Sequence, residues 1–190
     1  DYTPEQLEVF RKQVREVIVP ACVKLAERQR ERLGVEKLCF YDESVFNPDG
    51  NPTPIGDSNY MVEKAREMYH ELSPETGEFF DFMVEHELFD LVTKPGKRTG
   101  GFCRFMRAYH APFIFANFNG TDADVSALTH EAGHAFAYYT VSKVQKTSQL
   151  CSPVNEIAEM HSMSMEFWTF PWLESFFGDN ADKYRYAHFT

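Results

Sequence analysis

A chain of 190 residues is long enough for one domain with a real core and short for two. Its 43% apolar and 25% charged residues are globular proportions that exclude a disordered chain. Nineteen Lys and Arg against 29 Asp and Glu leave a formal net charge of −10, which disfavours nucleic acid or an anionic membrane surface and suits a cationic substrate or a bound metal.

The stretch TPEQLEVFRKQ opens a helix, with Thr3 as N-cap, Pro4 at the first helical position and Gln6 completing a capping box. Leu7, Phe10, Val14, Val17 and Ile18 follow helical spacing, Gly34 is the stop, and Pro20 is expected to kink or split the helix. Residues 39–57, rich in Pro, Gly, Asn and Asp, read as a surface loop. Helices are predicted from about Ser58 to Leu72 and from Pro74 to about Leu88, followed by a basic loop, TKPGKRTGG, over 93–101. The aromatic, β-branched run APFIFANFNG reads as a strand over about residues 112–119. The next segment, TDADVSALTHEAGHAFAYYTVSKVQK, is acidic in its first turn and basic in its last, as a helix dipole prefers. Ser152 and Pro153 are expected to start another helix that Pro171 ends, and a last helical pattern runs from about Asn180. The fold expected is mainly α, one domain over 1–190 with a small β element before the long helix. Asp1 in place of Met, and a helical pattern that stops at Thr190, lead to the expectation of a segment of a larger catalytic domain.

Cys22, Cys39, Cys103 and Cys151 are widely spaced and form no CxxC pair, so they read as buried or free thiols of a reducing cytoplasm. No run approaches the roughly 18 apolar residues that a membrane span needs.

The chemistry concentrates in HEAGH, residues 130–134. On a helix, positions i and i+4 lie one above the other, so His130 and His134 can aim two imidazoles at one metal ion. Glu131 lies about 100° round the helix and can flank such an ion as a base without ligating it. Gly133 costs about 1 kcal/mol relative to alanine inside a helix, and its bare backbone lets another element or a substrate come close. A five-residue match also arises by accident, as two core or surface histidines on an alanine-rich helix. Context separates this one: it is central in a strong helix, follows a strand and precedes a helix rich in carboxylates. A catalytic zinc takes three protein ligands and keeps one open position. Spacing alone does not choose between Glu156 and Glu159 as the third; the other could orient a ligand imidazole, as could Asp124 or His161. The strand residues 113–120, with Phe115, Ala116, Asn117 and Gly120 as the candidate contacts, could offer a sheet edge to an extended peptide, or could simply pack in the core.

FIFANFNGTDADVSALTHEAGHAF followed by NEIAEMHSMSMEFWTFPW resembles the oligoendopeptidase F branch of the thimet-oligopeptidase-like zinc metallopeptidases. KPGKRTGGFC is similar to that family's glycine-rich segment leading into the substrate-facing strand, and the likeness is most specific over about residues 94–172. The resemblance implies Glu159 as third ligand, with Ser162 and Glu166 at the family's positions after it, and Glu166 as a group supporting the ligands. It also implies one Zn2+ per chain, short peptides as substrates taken into a deep channel, and a zinc-activated water deprotonated by Glu131. The family's oxyanion-stabilising histidine and tyrosines lie well downstream of the third ligand, past Thr190, and Tyr184, Tyr186 and His188 do not match them. Two alternatives follow: a fragment inactive without that segment, or a non-catalytic, zinc-stabilised peptide-binding module.

Overall fold

The structure, a computed structural model, describes residues 2–189 and divides into two compact units, Asp1–Asn51 with Arg185–Thr190, and Pro52–Tyr184. In the first, α1 (Pro4–Gln13) starts on the expected capping box, Thr3 and Gln6 bonding each other's backbone N–H. The expected break at Pro20 is a π-helical turn, Val14–Ile18, just ahead of α2 (Val19–Leu33). Proline lacks an N–H and its ring crowds the carbonyl four residues back, so the chain widens by one residue there and Val19 N–H reaches Val14 O. Gly34, at φ 68°, closes α2 in the left-handed region. The Gln29 side-chain amide donates to the carbonyls of Asp42, Glu43 and Val45 and so holds the loop that follows. No residue of α1, the π turn or α2 is buried.

The second unit carries the core. Asp57 caps α3 (Ser58–Leu72), and Ser73 with Pro74 opens α4 (Pro74–Glu85). α4 ends three residues sooner than its pattern suggests, because Glu87 at φ 53° turns the chain into a strand. Three strands follow: β1 (Phe89–Val92), β2 (Phe102–Met106) and β3 (Ala111–Phe118). Their order is β1-β3-β2, with β1 parallel and β2 antiparallel to β3; Phe89 pairs with Ile114 and Cys103 with the same Ile114 from the other side. The strand expected at 112–119 is therefore the middle of a sheet and offers no edge. The edges belong to β1 and β2.

The long helix α5 (Ala123–Val144) packs on the sheet and against α6 (Asn155–Trp168). α6 starts two residues after the expected Pro153, with Val154 rather than Ser152 at its cap, and ends before Pro171. The short α7 (Leu173–Phe177) and α8 (Ala181–Phe189) complete the chain. The high aromatic content settles between the layers, where Tyr69, Phe79, Phe80, Phe176 and Phe177 are fully buried among Met68, Met83, Ile114, Leu128 and Met165. Among the described residues no helix is long and apolar enough to cross a membrane, and all four cysteines are free thiols.

Candidate metal centre

α5 and α6 approach through Gly133. A Cβ placed there would stand 2.6 Å from the Ser162 Cα and 2.8 Å from the His161 carbonyl oxygen. The close neighbour that the bare helix position called for is thus the backbone of α6. This contact brings the HEAGH turn of α5 opposite residues 159–166 of α6.

Three side chains converge there. His130 Nε2 lies 3.2 Å and His134 Nε2 3.6 Å from the same oxygen, Glu159 Oε2, and one ligand atom from each residue lies within 4.8 Å of the others. Two ligands 2.0–2.1 Å from a tetrahedral zinc stand about 3.3 Å apart, so the triangle fits a first-row cation of that size. The two imidazole planes are nearly perpendicular, 83°, which lets both nitrogens point at one centre without the rings colliding. Among the described residues no other His, Cys, Asp or Glu joins the three.

Two of the three side chains are held from behind. The Ser162 hydroxyl shares its proton between the Glu159 main-chain carbonyl, at 3.0 Å, and Glu159 Oε2, at 3.1 Å. His130 Nδ1 is 2.7 Å from Glu166 Oε1 and must be the donor to a carboxylate, which fixes the tautomer and turns the Nε2 lone pair toward Glu159. That bond to Glu166 raises the His130 pKa, while burial lowers that of His134. Glu131 is 8% exposed, and its Oε2 is buried with no hydrogen-bond partner. Burial pushes the Glu131 carboxyl above the ordinary glutamate range, opposed by the His130 charge and the nearby Cys103 main-chain amide. A buried, unsatisfied acceptor costs about 1–3 kcal/mol.

The cleft itself, about 320 Å3, is lined by His130, Glu131, His134, Tyr138, Glu159 and, from across, Gly101, Phe102 and Cys103. The last three belong to the glycine-rich turn and to β2. The resemblance of KPGKRTGGFC to the family's glycine-rich segment points to this stretch, but the candidate contacts are expected on a β3 edge and not among Gly101, Phe102 and Cys103. The four residues expected on that edge are engaged elsewhere. Phe115 stacks on Phe102 at 4.8 Å and Ala116 is buried in the core. Asn117 donates its amide to the carbonyls of Arg98 and Gly100, which pins the glycine-rich loop, and Gly120 turns the chain at φ 86°. Asp124 does not orient a ligand imidazole: its carboxylate accepts the N–H groups of Asn119 and Gly120 and braces the turn into α5. Glu156 is exposed, outside the ligand triangle. Tyr184 is buried and stacks on Phe177, away from the cleft lining.

The same arrangement of helices and sheet is found in solved structures. PZ peptidase A, in complex with an inhibitor, is 55% identical over 99% of this chain, with a TM-score of 0.95. A protein described as an oligoendopeptidase F from Bacillus anthracis str. Ames is 50% identical over 99%, with a TM-score of 0.94. A peptidase-like structure from Chlamydophila abortus, 19% identical with a TM-score of 0.60, shares the fold alone. This chain spans about a third of the first two, 33% and 34% of their lengths. No curated protein matches it. The model of peptidase family M3 matches residues 57–183, the whole stretch from the cap of α3 to the first turn of α8. The residues that converge on the metal triangle all lie inside that match, and the chain belongs to peptidase family M3.

Proposed function

We propose that the chain carries the catalytic centre of a zinc-dependent endopeptidase acting on short peptides, with one Zn2+ held by His130, His134 and Glu159 and with Glu131 as general base. The observation that carries this reading is the ligand triangle facing a buried, unpartnered carboxylate oxygen of Glu131 in one cleft. Zinc, when bound, supplies a Lewis acid that brings the pKa of a water to about 7. Glu131, its carboxyl lifted by burial, takes the proton from the attacking water and passes it to the leaving amine. Glu166 keeps His130 in the ligating tautomer, and Ser162 keeps Glu159 turned inward. An extended peptide lies along the free edge of β2, where main-chain hydrogen bonds give affinity with little sequence demand. Tyr184 is away from the cleft lining and has no part in this reading. A cytoplasmic site of action, and no nucleic acid or membrane partner, belong to the same reading.

Metal analysis and cleavage of an internally quenched peptide test it. The protein is expected to hold close to one zinc per chain, and His134→Ala to lose it. Glu131→Gln is expected to keep the zinc and to lower cleavage by about 10²–10⁴. Equal cleavage by the Glu131→Gln protein would remove the assigned base. Zinc uptake with no cleavage at all by the unaltered chain would favour the non-catalytic, zinc-stabilised module or the inactive fragment.

A further inference from the structure

Behind the ligand triangle, Glu166 has a second contact to which the peptidase reading gives no work, the hydroxyl of Ser126. Ser126 precedes His130 by four residues, so its hydroxyl and the His130 imidazole stand on one face of α5, one turn apart. Both reach the same carboxylate of α6. His130 Nδ1 meets Glu166 Oε1 at 2.7 Å, and Ser126 Oγ donates to Glu166 Oε2 at 2.8 Å. Glu166 is only 8% exposed, so water has little access to either oxygen. Ser126 is also a hydrogen-bonding neighbour of Tyr184, whose ring is buried and stacked on Phe177 at 4.5 Å.

We propose that Ser126 is a positioning residue of the metal centre: its hydroxyl and His130 Nδ1 grip the two oxygens of Glu166 and fix the plane in which Glu166 holds the His130 ring. The inference rests on the metal-centre reading above and extends it to a residue that touches neither metal nor substrate. A carboxylate with one oxygen bonded can rotate about its last side-chain torsion, and the imidazole it holds follows. With both oxygens taken by donors from one rigid helix, that torsion is closed. Tyr184, packed in the aromatic core, is a neighbour of the serine on the far side.

The groups around a ligand imidazole change metal affinity by about 10–100-fold when removed. Ser126→Ala is accordingly expected to weaken zinc binding, measured by competition with a chromogenic chelator, by about tenfold. Ser126→Thr, which keeps the hydroxyl, is expected to stay within about twofold of the unaltered protein. Visible spectra of the cobalt-loaded protein are expected to change with Ser126→Ala and not with Ser126→Thr, since they report the angles at the ligands. The melting temperature of the metal-free protein separates positioning from plain support of the fold, and is expected to be the same for the three proteins. Unchanged zinc affinity and cobalt spectra in Ser126→Ala would overturn the inference while leaving the metal centre intact. A drop in metal-free stability with unchanged affinity would overturn it equally, by showing a structural role alone. If the unaltered protein takes up no zinc, the metal-centre reading falls first and this inference with it.

Discussion

The helices α1 and α2 carry the stronger local helix signals and α5 and α6 the weaker, yet it is the second pair that is buried. α1 and α2 have a capping box, helical apolar spacing and a glycine stop, yet bury no residue; Phe10 is 65% exposed. α5 lacks a side-chain cap, carries a glycine in its middle and alternates alanines with polar groups, yet buries nine residues, among them Asp124, Thr129 and Glu131. The difference teaches that periodicity and capping specify that a helix forms, whereas burial depends on what the rest of the chain brings to it. Chemistry follows the second property, because only a buried polar group is kept out of contact with water and shifted by its neighbours.

Substitutions on the two sides of this contrast are expected to behave very differently, and urea unfolding measures each. The largest effect belongs to the core beneath α5. Phe79 is fully buried, with its ring against Tyr69, Phe136 and Tyr139, so Phe79→Ala is expected to cost about 3–5 kcal/mol. A loss under about 1 kcal/mol would show that this layer is looser than its burial implies. Next comes Gly133→Ala, whose added methyl has only 2.6 Å to the Ser162 Cα; forcing the helices apart is expected to cost about 1–3 kcal/mol and to weaken zinc uptake as well. Unaltered stability there would refute the close approach of α5 and α6. The smallest effect is expected at Phe10→Ala in α1, within about 0.5 kcal/mol of the unaltered protein. A cost of several kcal/mol would mean that a hydrophobic partner covers α1, and the contrast between the two helix pairs would dissolve.

Much of the site is legible in the sequence because it depends on spacing along a helix. The four-residue interval of His130 and His134 sets their common face wherever α5 goes. The choice of Glu159 over Glu156 is another matter: both lie on accessible turns of α6, and only the angle at which α6 crosses α5 at Gly133 brings one oxygen within reach of both histidines. The sheet was the least legible part. β1 is four residues long and shows no alternation, and β2 is flanked by glycines and by a turn at His110, so neither has a local signature comparable with β3. β2 meets β3 through a short turn, but β3 becomes the middle strand only because β1 pairs with it from 25 or 26 residues away, farther than a local pattern reaches. Asp124 was misjudged for a similar reason. An acid in the first turn of a helix suits either a ligand neighbour or the preceding turn, and the positive-φ Gly120 presents its N–H to that carboxylate first.

The contact at Gly133 has a consequence for how the ligand triangle is kept in shape. Two main chains touch there with no side chain between them, and the ligands on either side extend from that contact like the jaws of a caliper from its pivot. The opening of the jaws is therefore set by backbone thickness, which varies far less than the reach of any side chain. Side chains such as Glu166 and Ser162 then set how each ligand is turned, while a single methyl group at residue 133 is expected to change the distance from Glu159 to both histidines at once.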